Sequence, residues 1–220
     1  TSSIHRLAMS NKKFPRIYSL STVGIRNHYN SDYRFHPFRT DFAGDSGVGK
    51  SIIADVLQLI LVGEREFKSA TDSSSEREAR KLIIERYGYV FLNIAIDTDK
   101  FIVIGMYIST TSIDPFIIQA NIGLDVFEPL SSPLISKDFM LGDEIIDITN
   151  LPERMKENKQ AYAAKLSLNK YHELLEQNKI LPIDLKTEGN LKNFAQIIRA
   201  FSRGKGFKNN SKWLKEFFLN

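Results

Sequence analysis

Residues 44–51 have the types and spacing that could do chemistry. Their sequence, Gly-Asp-Ser-Gly-Val-Gly-Lys-Ser, fits the pattern G-x-x-x-x-G-K-[ST] at every fixed position. The glycines allow a tight turn in which consecutive backbone N–H groups point at one anion. In such a loop Lys50 reaches the outer phosphates and the Ser51 hydroxyl holds Mg²⁺. The spacing therefore predicts a site for Mg²⁺ and a phosphorylated nucleotide.

The flanking residues predict the elements that this loop requires. Residues 38–43 are interpreted as a short strand, and residues 52–61, which contain no Gly or Pro, as a buried helix. The N-terminus of that helix would add N–H donors and the positive end of its dipole to the site. We expect the backbone N–H groups of residues 46–51 to surround the phosphates.

Composition limits the classes of protein that the chain can belong to. Its 220 residues suffice for one domain with a core, or one domain with a subdomain. Cysteine is absent, which excludes disulfides and cysteine-based zinc sites and fits a reducing cytosol. The longest nearly apolar run, residues 52–63, is too short to cross a bilayer, so we expect a cytoplasmic protein without membrane contact. The net charge of +4 permits nucleic-acid contact but does not require it.

Alternation of apolar and polar residues predicts the strands. Residues 17–23 are predicted to form one strand, with residues 33–38 as its antiparallel partner. Two β-rich runs flank a polar turn at 97–99, which indicates a hairpin. That hairpin comprises 89–96 and 100–108, and a third strand is predicted within 115–124. Residues 125–150 show no clear period and are predicted to be surface loops.

Helices are predicted mainly after residue 150, where Asn150 is a candidate N-cap and Pro152 lies in the first turn. The predicted helices cover 76–87, 150–160, 162–176 and 190–201, and a further one starts at 211. Leu166, Tyr171, Leu174 and Leu175 are expected on the apolar side of the helix at 162–176. Residues 1–15 are predicted to be a flexible arm, and 68–78 and 202–210 to be loops.

The span 17–63 resembles the N-terminal half of an SMC-like ATPase head, as in SMC, RecF, RecN and SbcC proteins. The resemblance lies in the turn Gly24-Ile25-Arg26-Asn27-His28, a second strand at 35–42, the phosphate loop, and a helix that runs from Ser51 through Asp55 to Gly63. The span resembles SMC-like subunits of bacterial defence systems such as Wadjet and Lamassu more than it resembles chromosomal SMC proteins. A Ras-like GTPase is disfavoured because the chain has no N-K-x-D and its only D-x-x-G, at 41–44, precedes the loop.

This resemblance implies an α/β P-loop NTPase of ABC/SMC type, with a mixed sheet and an antiparallel β-subdomain. Residues 16–220 would form the N-terminal lobe of the head, with the β-subdomain at about 89–124, a helical region at about 150–201 and an exit toward a coiled coil at about 211–220. The implied cofactors are ATP and Mg²⁺. The implied partners are a second ATPase head, a C-terminal lobe of the same protein, accessory subunits and double-stranded DNA.

The resemblance also implies roles for individual residues. Lys50 would act in catalysis by neutralising the β- and γ-phosphates, and Arg26 would contact the phosphates with the weaker candidate Asn27 beside it. Gln196 would complete the Mg²⁺ and water site together with Ser51, with Gln119 as the alternative glutamine. The implied nucleotide-binding set is Gly44, Asp45, Ser46, Gly47, Val48, Gly49, Lys50, Ser51, Ile52, Arg26 and Asn27. Asp45 stands where Asn or Pro is commoner in the family, so its role stays open.

Two motifs of such ATPases, a Walker B acid and an L-S-G-G-like signature, do not occur in the sequence. We therefore expect one lobe of a split site, inactive in hydrolysis by itself. Asp97 follows a hydrophobic run but is interpreted as a turn residue. If Asp97 or Asp125 held the metal, the chain would instead be a self-contained kinase or NTPase.

A third alternative is a nucleic-acid-binding module with a structural phosphate loop. This alternative depends on a basic stretch near the end of the sequence. The stretch contains Arg199, Arg203, Lys205, Lys208, Lys212 and Lys215, interleaved with Phe201, Phe207 and Trp213. Such a stretch can contact phosphates without reading bases, although a solvated, flexible face is the favoured interpretation. His28 is interpreted as a surface residue.

Overall fold

In the computed structural model, the described residues are 14–35, 47–67, 78–181, 185, 187–202 and 217. For residues 47–52, 78, 188 and 201–202 the description covers the backbone alone. The strands are β1 (Arg16–Ile25), β2 (His28–Arg34), β3 (Tyr87–Asp97), β4 (Lys100–Ser109), β5 (Ile113–Gln119), β6 (Met140–Leu141), β7 (Glu144–Ile145) and β8 (Tyr162–Lys165). The helices are α1 (Gly47–Val62), α2 (Leu151–Lys159), α3 (Leu168–Gln177) and α4 (Glu188–Ser202), with 3₁₀ turns at Glu78–Leu82 and Ser136–Phe139.

A six-stranded sheet in the order β2-β1-β3-β4-β5-β8 organises the fold, and every neighbouring pair in it is antiparallel. The central strands β3 and β4 are buried along nearly their whole length, because both faces of the sheet are covered. The chain is thus mixed α/β, as expected. The resemblance also implied a sheet with both parallel and antiparallel strands, but every pair among the described strands is antiparallel. The predicted strand at 17–23 and the predicted hairpin at 89–108 are confirmed.

Among the described elements, the helices α1, α3 and α4 cover one face of the sheet. The core on this side joins α1, α3 and α4 to apolar residues of β1, β3 and β4. Its contributors from β3 are Val90, Leu92 and Ile94, which alternate along the strand as a sheet face requires. The helices predicted at 52–61 and 190–201 are confirmed as parts of α1 and α4.

The second face is covered by residues 130–161, which corrects the prediction of surface loops at 125–150. Leu134, Phe139, Ile146 and Ile148 from this segment are buried against the sheet. The Phe139 ring stacks on that of Phe91 with centroids 4.5 Å apart. The prediction was wrong because the segment has no period of its own, and its apolar residues are aligned only by the shape of the sheet beneath them.

The partner of β1 lies earlier in the sequence than predicted. Ile25 pairs with His28 across a two-residue turn, in which Asn27 has a φ of 65°. Asparagine tolerates this left-handed conformation better than most residues. β2 therefore occupies His28–Arg34 rather than 33–38. It escaped detection because it is a polar edge strand with largely exposed side chains, and residues 36–38 of the predicted strand lie outside the described part.

The helix predictions at 150–160, 162–176 and 76–87 need adjustment at their ends. Asn150 precedes α2 as predicted, but its side chain makes no capping hydrogen bond. Residues 162–165 form the edge strand β8, and α3 starts only after Ser167, whose hydroxyl accepts from the Lys170 N–H at 3.2 Å. Three of the four residues expected on the apolar side of α3 are buried, and Leu166 is half-buried. Within the described part of the helix predicted at 76–87, only the 3₁₀ turn at Glu78–Leu82 forms, because Tyr87 already begins β3. The third strand ends at Gln119 rather than 124.

Candidate functional site

The second half of the glycine-rich motif forms the start of α1. Residues 47–51, Gly-Val-Gly-Lys-Ser, are the first five of its sixteen helical residues. N–H groups in the first turn of a helix have no partner within the helix, so they are donors for an anion. Gly44, Asp45 and Ser46 lie outside the described residues, as do the side chains of Val48, Lys50, Ser51 and Ile52. The phosphate and Mg²⁺ contacts of these residues therefore stay predictions.

The rest of α1 is held in the core. Every residue from 53 to 62 is buried, so this part of the helix is enclosed by the core on all sides. Asp55 and Gln58 belong to this buried set, each 2% exposed, and both have interaction partners in the structure. α1 packs on β3, β4 and α4. The motif thus lies at the end of a helix that cannot shift without disturbing the core.

Side chains of α3 bind the opposite end of α1. The Tyr171 hydroxyl donates to the Ile60 carbonyl at 2.8 Å, and the His172 Nε2–H donates to the Leu61 carbonyl at 2.9 Å. These carbonyls belong to the last turn of α1, which has no partners for them within the helix. Gly63 ends the helix with a φ of 89°, and a β-carbon there would lie 2.7 Å from Leu168 Cδ1. α3 therefore fixes the C-terminal end of the motif helix.

His172 makes the stability of this junction pH-dependent. Burial lowers its pKa, and the hydrogen bond to Leu61 opposes that shift only in part. The unfolded chain therefore binds a proton at a higher pH than the folded chain does. Between the unfolded pKa of about 6.5 and the lower folded pKa, stability falls as the pH falls, with a limiting slope of about 1.4 kcal/mol per pH unit.

We expect His172→Gln to reduce this acid sensitivity, because the glutamine amide can still donate to Leu61 but does not titrate. The measurement is urea unfolding of both proteins at several pH values between 7.5 and 5. The free energy of unfolding should decline more steeply for the wild type than for the variant. Parallel declines would show that other groups cause the pH dependence.

Arg26 and Asn27 occupy the β1–β2 turn, and both are exposed. The Arg26 backbone N–H donates to the Leu82 carbonyl at 2.7 Å, which ties the turn to the segment before β3. Among the described residues, no hydrogen bond or ion pair joins either side chain to α1. Their role at the phosphates stays a prediction. His28, expected at the surface, is half-buried and hydrogen-bonds the Tyr33 hydroxyl.

The two candidate glutamines have different surroundings. Gln119 is 1% exposed and both ends of its amide are used: Nε2 donates to the Gly123 carbonyl at 2.7 Å, and Oε1 accepts from the Glu128 N–H at 2.8 Å. Its amide holds the loop after β5, which leaves it unsuited to the metal site. Gln196 is exposed on α4, the helix that packs on α1, and remains the candidate.

The carboxylates considered as metal ligands are isolated. Asp97 accepts from the Thr98 N–H at 2.7 Å in the β3–β4 turn, which supports its interpretation as a turn residue. Asp125 is exposed, and its backbone carbonyl accepts hydrogen bonds from Gln177 and Asn178. In the part of the chain that the structure describes, no three His, Asp or Glu side chains are grouped to hold a metal.

The predicted basic stretch lies mostly outside the described residues. The members that lie outside are Arg203, Lys205, Lys208, Lys212, Lys215, Phe207 and Trp213. Arg199 is half-buried and donates to the Glu66 carbonyl at 3.4 Å. Sequence reasoning missed a different pair of cations, Arg16 and Arg34, on the adjacent strands β1 and β2. Only the register of these strands, in which Arg34 pairs with Ser19, could have identified them.

A scan against models of known protein families and a search of curated proteins both found no match. None of the helices in the described ranges is long and apolar enough to span a membrane.

Proposed function

We propose that this chain binds ATP and Mg²⁺ at residues 44–52 and is the nucleotide-binding lobe of an SMC-like ATPase head. One observation carries the proposal: the Gly-Val-Gly-Lys-Ser segment begins a helix whose remaining length is buried against an antiparallel sheet. A helix anchored in this way keeps its N-terminal amides in place, so an anion bound there does not have to order them.

The chemistry of the proposed site follows from its residue types. The N–H groups of residues 46–51 would bind the phosphate oxygens, and Lys50 would place a positive charge against the β- and γ-phosphates. Ser51 would hold Mg²⁺, with Gln196 as the candidate second ligand. Arg26 would add a second cation to the phosphates.

Hydrolysis in this proposal needs a second surface. A signature loop from another head would close over the γ-phosphate, and a C-terminal lobe would supply the acid that activates water. The expected output is conformational work on double-stranded DNA in the cytoplasm, in genome maintenance or in defence against phages and plasmids. The lobe by itself is expected to bind ATP without turnover.

Lys50→Ala tests the nucleotide site directly. The variant is expected to bind a fluorescent ATP analogue with Mg²⁺ at least tenfold more weakly, because one charge-assisted contact to the phosphates is lost. The matched control is Lys156→Ala, which removes an exposed lysine from α2 and should leave the affinity unchanged. Both variants should melt at the wild-type temperature within a few degrees.

Equal affinity of the wild type and Lys50→Ala would end the proposal. Competition by unlabelled ATP and GTP tests which nucleotide base the site prefers. Displacement of the analogue by GTP alone would favour a GTPase. Measurable turnover by the chain without a partner would favour a self-contained NTPase instead of a split site.

A further inference from the structure

Two arginines on adjacent strands each lie over an aromatic ring. The Arg34 Cζ atom is 3.3 Å from the centroid of the Tyr18 ring, and the Arg16 Cζ atom is 5.7 Å from the centroid of the Phe14 ring. Stacking against a ring occupies one face of a guanidinium and leaves its N–H edge for acceptors in the plane. Arg34 is exposed and Arg16 is half-buried. We call these two side chains the arginine pair.

The arginine pair has no counter-charge within the described residues. Neither guanidinium forms an ion pair with a carboxylate there. Asp32, two residues before Arg34, accepts from the Ser21 hydroxyl and from the N–H and hydroxyl of Ser136, at 2.5, 3.0 and 2.9 Å. Its carboxylate is therefore used to attach β2 to the 3₁₀ turn at Ser136–Phe139.

The electrostatics of the arginine pair favour a bound anion. Burial lowers the pKa of both arginines, and the charge of Arg16 lowers that of Arg34 further. Both effects make the charged forms of these side chains less stable than those of free arginines. The Nε atom of Arg16 is shielded from solvent and has no hydrogen-bond acceptor among the described residues. A ligand with several anionic oxygens would relieve the repulsion between the two guanidiniums and bond to their accessible N–H groups.

We propose that the arginine pair binds phosphate groups of a nucleic-acid backbone, as the contact of this lobe with double-stranded DNA. Planar guanidiniums match the paired oxygens of phosphodiesters, and a backbone offers phosphates in series to two neighbouring cations. The inference rests on the DNA partner of the proposed function.

The Tyr18 ring beneath the arginine pair is partly covered, so stacking of a base on it is not expected to contribute to binding. The Tyr18 ring lies under Arg34 and meets the buried ring of Phe101 edge-on, with centroids 4.8 Å apart. The face of the Tyr18 ring under Arg34 is therefore closed to a stacked base. The contact is expected to follow the backbone without preference for sequence.

The test is binding of a fluorescent duplex oligonucleotide across a series of salt concentrations. Arg16→Gln/Arg34→Gln keeps the side chains long and polar but removes both charges. At low salt we expect the double variant to bind at least tenfold more weakly, and the slope of log K against log salt to become shallower by about 2, because each lost phosphate contact contributes about 0.9. Arg154→Gln/Lys156→Gln on α2 removes the same charge elsewhere and should change neither the affinity nor the slope by as much.

The outcomes separate this inference from the nucleotide proposal. Wild-type DNA binding by Arg16→Gln/Arg34→Gln, or an equal loss in the α2 control, would overturn the arginine pair as the contact. A wild-type chain that binds no duplex at low salt would overturn it as well. In each case the titration with the ATP analogue is measured on the same proteins, and it is expected to be unaffected by Arg16→Gln/Arg34→Gln. A folded state equal to that of the wild type is checked by circular dichroism.

Discussion

Asn93→Leu is expected to lower the free energy of unfolding by about 3 kcal/mol, because it leaves several buried polar groups without partners. Asn93 is fully buried in β3. Its Nδ2 donates to the Ser19 hydroxyl and to the Leu134 carbonyl, each at 2.8 Å, and its Oδ1 accepts from the Leu134 N–H at 2.9 Å. Leucine is similar in size but can replace none of these bonds. Chemical denaturation of the two proteins measures the difference.

Asn30→Leu is the matched control for Asn93→Leu. Asn30 is exposed on the edge strand β2, so the same substitution there should change the stability by no more than about 0.5 kcal/mol. Equal effects at the two positions would refute the role assigned to Asn93.

Asn93→Asp is expected to make the stability of the protein depend on pH, because the introduced carboxyl takes the place of the buried amide. Burial raises the pKa of the introduced carboxyl above that of the unfolded chain, so the folded state binds a proton first as the pH falls. Relative to the wild type, the variant should therefore lose stability as the pH rises and recover part of it in acid. A packing defect alone would not depend on pH.

Gly105→Ala is expected to destabilise the protein by about 3 kcal/mol, since the centre of the sheet has no room for a β-carbon. An added β-carbon would lie 2.4 Å from the Val90 carbonyl oxygen and 2.7 Å from both Phe116 Cζ and Phe91 Cβ. The carbonyl belongs to the neighbouring strand β3, so it cannot move without disturbing the ladder. For a chain of this size the melting temperature should fall by roughly 6–12 °C.

Gly189→Ala supplies the control for Gly105→Ala. Gly189 lies in the first turn of α4, and an added β-carbon would meet nothing within 4 Å. The substitution should leave the stability unchanged or raise it by up to about 1 kcal/mol, because alanine favours helices over glycine. A loss at Gly189 comparable to that at Gly105 would contradict the steric explanation.

Elements with strong local signals were predictable from the sequence. The two runs that became β3 and β4 are rich in β-branched and aromatic residues and flank a polar turn, so both their type and their pairing follow from local chemistry. α1 was predicted because a long apolar run without Gly or Pro cannot remain exposed. β8 was missed because residues 162–165 are too few to show a period, and they become a strand only by pairing with β5.

The residues of the candidate site also fall into those that the sequence alone predicts and those that only the structure identifies. The spacing of Gly44, Gly49, Lys50 and Ser51 is local, so the sequence alone predicts a phosphate loop there. The assignment of Gln119 or Gln196 depends on contacts distant in sequence, and the structure commits the Gln119 amide to the loop after β5. The arginine pair could not be found from the sequence, because residues 16 and 34 meet only through strand register.

By itself, the sequence determined the phosphate-loop motif, the central hairpin, the motif helix and the absence of cysteine chemistry. Each of these depends on residues that are neighbours along the chain. Tertiary structure alone decided that residues 130–161 cover the second face of the sheet, that Tyr171 and His172 bind the end of α1, and that two arginines share one surface. These features join residues far apart in the sequence, and their energies arise only once the sheet has brought the partners together.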